Sequence, residues 1–163
     1  MPQVRTVFAV VALAAPLVSP ATEVPRLDPS SFTAVPSSVR SGLKQQGCTI
    51  PQTFLARKPE NVVHGSFTGP SSSEWAALCS VGGVSEILIF RATSTQPVAR
   101  LAKLPDENFV QAISPRGSGY SRRLRAVPTR VRGLNGIEDA FLEKASTVWV
   151  RERGEWREKP GAD

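Results

Sequence analysis

The clearest hydrophobic pattern in the chain is a pair of apolar runs that flank two glycines. The first run, EWAALCS, covers residues 74–80, and the second, SEILIF, covers residues 85–90. Neither run has a continuous polar face, which predicts a central pair of strands covered on both sides. Gly82 and Gly83 supply the positive φ values that a tight turn requires. The stretch therefore predicts a buried β-hairpin.

Weaker alternation of apolar and polar positions predicts strands elsewhere. Residues 96–104 (QPVARLAKL) predict a third strand next to the hairpin. Residues 119–127 and 129–133 predict two further strands separated by a proline. Residues 136–159 predict a closing hairpin with a glycine at its turn.

The stretch SSVRSGLKQQG has helical rather than alternating spacing. Val39 and Leu43 fall at i and i+4 on one face, and Ser37 or Ser38 is suited to cap the start. Gly47 stands where a helix-terminating glycine is expected. The pattern predicts a short helix that leads the chain into the sheet.

Together these elements predict a mainly β, small α+β fold, built as an antiparallel sheet or sandwich with one short N-terminal helix. The 163 residues suit one domain, which we place at residues 37–163. Residues 22–36 are rich in Pro and Ser and predict an extended lead-in with little structure.

Residues 1–21 have the order of segments found in a secretory signal peptide. A short basic start precedes an apolar run at residues 7–18, and small residues follow up to Ala21. A membrane anchor is the alternative, but a span needs roughly 20 apolar residues, and Pro16 interrupts this run. The pattern predicts a periplasmic or secreted protein, cleaved near Ala21, with no transmembrane segment.

The two cysteines, Cys48 and Cys79, form an even set in a chain predicted to be exported. Disulfide bonds are the usual state of such cysteines in an oxidising compartment. A reactive thiol is the alternative, but Cys79 lies within an apolar strand rather than an electropositive, exposed setting. Two cysteines and one histidine fall short of a structural zinc set. We therefore predict a Cys48–Cys79 disulfide.

The full chain has a formal net charge of +6, and its arginines are concentrated in one part of the sequence. Between Asn108 and Ile137 there are six arginines and no acidic residue. Arginine forms paired hydrogen bonds with phosphate, sulfate or carboxylate, and a neighbouring tyrosine can stack on a sugar or base. The candidate ligand-binding residues are Tyr120, Arg122, Arg123, Arg125, Arg130 and Arg132.

Two structural explanations compete with a binding role for these arginines. Charged residues on an edge strand protect a sheet against aggregation. The arginines can also pair with acids in GIEDAFLEK or RERGEWREK. If residues 119–127 form a strand, Arg123 and Arg125 share one face, while Tyr120 and Arg122 share the other.

Catalytic chemistry has weaker support. His64 is the single histidine, and no nucleophile-elbow pattern accompanies it. Glu138, Asp139 and Glu143 form an acidic cluster, which we interpret as a solvated turn, paired with nearby arginines, rather than as acid–base or metal-binding groups. No motif requires a cofactor, and we predict no catalytic or metal-ligating residues.

Several short motifs give the chain a family resemblance. The set GCTIPQ, WAALCS, GIEDAF, EKAS, GEW and GAD resembles a family of uncharacterised secreted bacterial proteins, over most of the chain after residue 21. The resemblance implies export and a shared fold, and it implies no reaction.

A second resemblance is local. The stretch VVHGSFTGPSSSEWAALCSVGGVSEILIF is similar to one FG-GAP unit, in which a loop precedes a strand hairpin and often binds calcium. Here Glu74 is the only carboxylate of the loop, whereas calcium takes six to eight oxygen ligands. The resemblance therefore implies the strand–loop–hairpin alone.

Three functions follow from these observations. The first is a non-catalytic binding or accessory module that holds an anionic polymer or a protein partner through the arginine-rich strand. The second is an inhibitor of a secreted hydrolase that presents the loop SFTGPSSSE, residues 66–74. The third is a hydrolase that uses His64.

Overall fold

The structure is a computed structural model that describes residues 23–115 and 117–161. The predicted signal peptide, residues 1–21, lies outside the described residues. In the part of the chain that is described, no helix has the length and apolarity needed to cross a membrane.

The described residues form mainly β-structure. The helix is α1 (Ser37–Gln45), and two short 3-10 turns cover Pro29–Ser31 and Asp106–Phe109. The strands are β1 (Arg26–Leu27), β2 (Ile50–Pro51), β3 (Val62–Gly65), β4 (Glu74–Val81), β5 (Val84–Arg91), β6 (Pro97–Pro105), β7 (Val110–Ser114), β8 (Gly117–Tyr120), β9 (Arg122–Pro128), β10 (Asn135–Phe141), β11 (Ala145–Glu152) and β12 (Glu155–Pro160).

Two four-stranded antiparallel sheets make up most of the fold. The first has the order β3-β4-β5-β6, and the second has the order β12-β11-β10-β9. Two smaller pairs, β1-β2 and β7-β8, complete the strands. The prediction of a mainly β, antiparallel fold with one N-terminal helix is confirmed.

The predicted central hairpin is β4–β5, and its two faces belong to different cores. Ala76 and Ile89 lie in a core shared with Leu124 and Ile137 of the second sheet. Leu88, on the opposite face, lies in a core beneath the helix. Gly82 and Gly83 form the turn, with φ values of 58° and 80°. The lack of a polar face in the sequence thus has a direct cause, because both faces are covered.

The helix lies on the outer face of the first sheet. Val39 and Leu43 are fully buried, as their spacing predicts. Gly47 adopts a φ of 71° and ends the helix, so that the Cys48 amide donates to the Leu43 carbonyl at 3.0 Å. A Cβ on Gly42 would lie 2.5 Å from the Thr95 carbonyl oxygen, so this glycine allows the helix to approach closely.

The predicted serine cap of the helix is wrong. Pro36 occupies the N-cap position, and no side chain caps the first turn. The Ser38 hydroxyl instead donates to the Ala92 carbonyl at 2.5 Å. A tertiary hydrogen bond to the end of β5 therefore replaces the local one.

The sulfur atoms of Cys48 and Cys79 lie 1.97 Å apart, which is the distance of a disulfide. The bridge joins the segment after α1 to β4, and both cysteines are buried. The helix therefore delivers Cys48 to the sheet.

Two predictions about irregular segments need correction. Residues 129–133 form a turn instead of a strand, because the Thr129 hydroxyl donates to the Leu134 carbonyl at 2.9 Å and Gly133 has a φ of 77°. The lead-in is more ordered than its composition indicates. It contains β1 and a 3-10 turn, and Phe32 and Val35 are buried against the helix.

Candidate anion-binding face

The single strand predicted over residues 119–127 is divided at Ser121, because Tyr120 ends β8 of the small sheet and Arg122 begins β9 of the second sheet. The arginines of β9 divide between two environments. In β9, Arg122 and Leu124 are buried, whereas Arg123 is half-buried and Arg125 is exposed. This alternation is the strand period of two, imposed by the packing of one face of β9 on the common core. The arginines therefore have different roles.

Arg122 is fully buried and forms an ion pair with Asp139 of β10. Its Nε donates to Asp139 Oδ1 at 2.8 Å, and Nη2 donates to Oδ2 at 2.7 Å. Further hydrogen bonds reach Ser85 Oγ at 2.9 Å and the Ala102 carbonyl at 2.7 Å. The guanidinium carbon lies 4.6 Å from the centre of the Phe109 ring.

These contacts give Arg122 a structural role. They join β9 and β10 of the second sheet to β5 and β6 of the first. Partners at each of its three nitrogens leave Arg122 no site for an external anion.

Tyr120 is also fully buried, and its hydroxyl lies 3.5 Å from Ser85 Oγ. Burial raises the pKa of Tyr120 above its usual value, and the nearby carboxylates of Asp106 and Asp139 act in the same direction. The ring lies in the core between the sheets and presents no open face for a sugar or base.

Arg123 and Arg125 lie on the opposite, outer face of the second sheet. In register, Arg123 is beside Ala140, which is beside Ser146. Arg125 is beside Glu138, and its Nε donates to Glu138 Oε2 at 2.6 Å. This hydrogen bond raises the pKa of Arg125.

A cleft of about 400 Å³ opens on this outer face, which we call the arginine cleft. Its lining includes Arg123, Arg125, Lys144 and Ser146, with Ala140 between the first and the last. Arg123 Nε and Ser146 Oγ are buried and have no hydrogen-bond partner among the described residues. A buried polar group left unpaired costs about 1–3 kcal/mol, so the lining residues of the cleft carry one unsatisfied donor and one unsatisfied hydroxyl.

The charges around the arginine cleft leave a positive balance. Glu138 and Glu143 also line it, but Glu138 is neutralised by Arg125. Lys144 Nζ lies 4.2 Å from the centre of the Phe141 ring. Within the described ranges neither Arg123 nor Lys144 forms an ion pair, so the positive charge of the cleft lies on these two residues.

The remaining predicted arginines lie apart from this cleft. Arg130 and Arg132 are exposed on the turn that follows β9. Arg130 lines a separate groove with Val150 and Lys159. The six predicted residues therefore do not form one continuous ribbon.

The acidic cluster differs from the solvated turn that the sequence predicts. Glu138 is buried and Asp139 is half-buried, and both belong to β10 and pair with arginines of β9. Only Glu143 lies in the exposed turn. The predicted pairing with nearby arginines is confirmed. The predicted solvated turn is wrong for Glu138 and Asp139, because the register of β9 and β10 places them beside the arginines.

His64 is exposed, and its Nε2 lies 3.0 Å from Ser73 Oγ. A Ser-His-Asp arrangement would need an acid beside His64, but Asp106 pairs with Arg26 and Asp139 pairs with Arg122. Among residues 23–115 and 117–161, no three His, Cys, Asp or Glu side chains are grouped so that they could hold a metal ion.

The loop before β4, residues 66–73, is organised around Glu74. This carboxylate is buried and accepts hydrogen bonds from the Phe67 amide at 2.8 Å, the Ser72 hydroxyl at 2.6 Å and the Thr68 hydroxyl. Burial alone would raise the pKa of Glu74, but these hydrogen bonds outweigh burial and lower it. These hydrogen bonds to the buried carboxylate hold the loop in one conformation.

Sequence reasoning did not identify Ser146, Lys144 or the anchoring role of Glu74. The positions of Ser146 and Lys144 beside Arg123 depend on the pairing of β9, β10 and β11. Glu74 carries a local signal, since an acid follows a Ser- and Thr-rich loop. No protein-family model, curated protein or solved structure matches this chain.

Proposed function

We propose that this protein is an exported, non-catalytic binding module that holds an anionic partner at the arginine cleft. Export is supported by the signal-peptide pattern of residues 1–21. The binding site differs from the sequence-based one, because Arg122 and Tyr120 are part of the core.

The unpaired Nε of Arg123 is the observation that carries this proposal. Buried guanidinium donors normally have hydrogen-bond partners, as those of Arg122 do. Arg123 instead lines an open cleft beside the unpaired hydroxyl of Ser146. A phosphate, sulfate or carboxylate oxygen would satisfy the Arg123 donor with a charge-assisted hydrogen bond.

The small side chain of Ala140 helps to form this site. It lies between Arg123 and Ser146 in the cross-strand register and leaves space at the floor of the cleft. Removal of residues 1–21, which contain Arg5 and no acid, changes the formal net charge from +6 to +5, and this positive charge favours the approach of anions. Lys144 adds positive potential to the lining, whereas the charge of Arg125 is paired with Glu138.

The test is binding of a fluorescent heparin-derived oligosaccharide and of single-stranded DNA over a series of salt concentrations. We expect affinity to fall as salt rises, because such binding depends on charge. Arg123→Ala should weaken binding about tenfold or more, which corresponds to one strong charge-assisted contact.

The matched control is Arg57→Ala, which removes the same charge from an exposed residue outside the cleft. It should change affinity less than about twofold, because surface charges at a distance are screened by salt. Equal losses of affinity in the two variants would show that binding depends only on net charge, which would contradict a specific site at the arginine cleft. Absence of binding by the unaltered protein would overturn the proposal.

A second candidate is an inhibitor of a secreted hydrolase, and the Glu74-centred loop favours it. A loop held in one conformation loses little entropy when it enters an enzyme cleft. Glu74 accepts hydrogen bonds from Phe67, Thr68 and Ser72, while Pro70 at the tip of the loop is exposed. We expect inhibition of at least one enzyme in a panel of secreted proteases and glycosidases to be lost in Glu74→Gln and kept in Arg123→Ala.

A further inference from the structure

A second cleft, of about 390 Å³, lies on the inner side of the second sheet, near β6. Three aromatic residues, Phe109, Phe141 and Trp149, line it. The Phe109 and Phe141 rings pack edge to face, with centres 5.6 Å apart. We call this space the aromatic cleft. Its volume lies within the range of pockets that take small organic molecules.

Trp149, one of the lining residues, carries an unused hydrogen-bond donor. Its Nε1 is buried and finds no hydrogen-bond partner within the described residues. Buried indole N–H groups usually have a partner, and an unpaired one calls for an explanation. An acceptor atom on a bound molecule would supply the missing partner.

Charge at the aromatic cleft is balanced. Lys103 and Glu158 both line it, and Glu158 accepts a hydrogen bond from the Thr147 hydroxyl at 3.5 Å. Asp139 also reaches the cleft, but it is neutralised by Arg122. This balance favours an uncharged ligand, in contrast to the arginine cleft.

We propose that the aromatic cleft binds a small uncharged ring compound that carries one hydrogen-bond acceptor. The ring packs against Phe109 and Phe141, and the acceptor takes the Trp149 N–H. The aromatic cleft adjoins the arginine cleft, with which it shares Phe141, Ala145 and Ser146. It differs in its ligand chemistry, because Arg123 and Arg125 line only the arginine cleft.

The test uses protein labelled with nitrogen-15 and the probe benzamide, which joins an uncharged ring to a carbonyl acceptor. We expect the indole N–H signal of Trp149, assigned with Trp149→Phe, to shift saturably with a dissociation constant on the order of millimolar. Toluene, which has the ring without an acceptor, should shift this signal much less. The Trp75 indole signal should stay in place, since Trp75 lies outside the cleft.

Ala145→Leu provides a blocking variant at an exposed residue that lines the cleft. It should weaken benzamide binding about tenfold, because the longer side chain occupies the space of the ring. Ala126→Leu, at an exposed residue outside the cleft, is the matched control and should bind as the unaltered protein does. No saturable shift of the Trp149 signal, or equal shifts with benzamide and toluene, would overturn the proposal.

Discussion

Arg122 shows how the position of a side chain relative to a sheet decides the role of an arginine. It has no exposed surface, and its guanidinium contacts Asp139, Ser85 and Ala102. Arg123, the next residue, faces the opposite side and keeps its Nε unpaired. Two neighbouring arginines thus serve the core and the surface, because consecutive residues of a strand point to opposite faces.

Removing Arg122 is expected to destabilise the protein strongly. Arg122→Leu leaves the Asp139 carboxylate without its cation, and breaking such a buried pair costs about 3–5 kcal/mol. Urea denaturation measures the change in free energy of unfolding. The double variant Arg122→Leu, Asp139→Leu should recover part of the loss, because it removes both charges. A cost below about 1 kcal/mol for the single variant would contradict the structural role.

Among the elements, the β4–β5 hairpin of the first sheet is held both by burial and by a covalent link. The β4–β5 hairpin contributes to two cores, and α1 covers one of them. The disulfide from Cys48 to Cys79 spans 31 positions and ties the segment after α1 to β4. Burial and a covalent link thus act on the same hairpin.

Loss of this disulfide should lower the free energy of unfolding by about 3–4 kcal/mol, mainly through greater freedom of the unfolded chain. The variant Cys48→Ala, Cys79→Ala is compared with the oxidised protein in urea. The unaltered protein under reducing conditions is the control and should lose a similar amount. A change smaller than about 1 kcal/mol would show that the bridge adds little to the folded state.

The sequence predicts the central elements of this fold, since alternation, helical spacing and turn glycines are local signals. It predicts the β4–β5 hairpin, the helix and β6 within a few residues. It predicts one hairpin over residues 136–159, where the structure has the three strands β10, β11 and β12. It fails at residues 129–133, where alternating residues form a turn held by Thr129. It also fails at Glu138, whose burial depends on pairing with Arg125 across β9 and β10. The failures occur where contacts between distant segments decide the outcome.

At the scale of the whole molecule, two buried carboxylates organise the chain, Glu74 locally and Asp106 between distant segments. Glu74 holds the loop before β4, and Asp106 accepts hydrogen bonds from Ser80 at 2.5 Å and from Arg26 at 2.8 Å. Burial alone would raise the pKa of Asp106, but Ser80, Ser85 and Arg26 together lower it. Both carboxylates are therefore stabilised in their charged forms.

We expect the free energy of unfolding to decrease as the pH falls below about 5. Because the folded-state pKa values of Glu74 and Asp106 are lowered, their contribution is present above the unfolded-state pKa values. It is lost as the pH falls through the folded-state values. Thermal unfolding between about pH 7 and pH 2 measures this dependence.

The variant Glu74→Gln serves as the control for this pH dependence. It should be less stable than the unaltered protein at neutral pH, since the amide replaces one acceptor oxygen with a donor. It should lose less stability on acidification, because the titrating group is absent. Parallel pH profiles for the two proteins would exclude Glu74 as a source of the acid sensitivity.

The sequence by itself determined the β-rich class, the central hairpin, the helix with its terminal glycine and the concentration of arginines. These features follow from short-range periodicity and from the conformational preferences of glycine. Only the tertiary structure decided that Arg122 belongs to the core and Arg123 to the surface. That outcome required Asp139, Ser85 and Ala102 to meet one face of β9. Those contacts join residues 17 to 37 positions apart, so the packing of the two sheets, rather than any local pattern, assigns the roles.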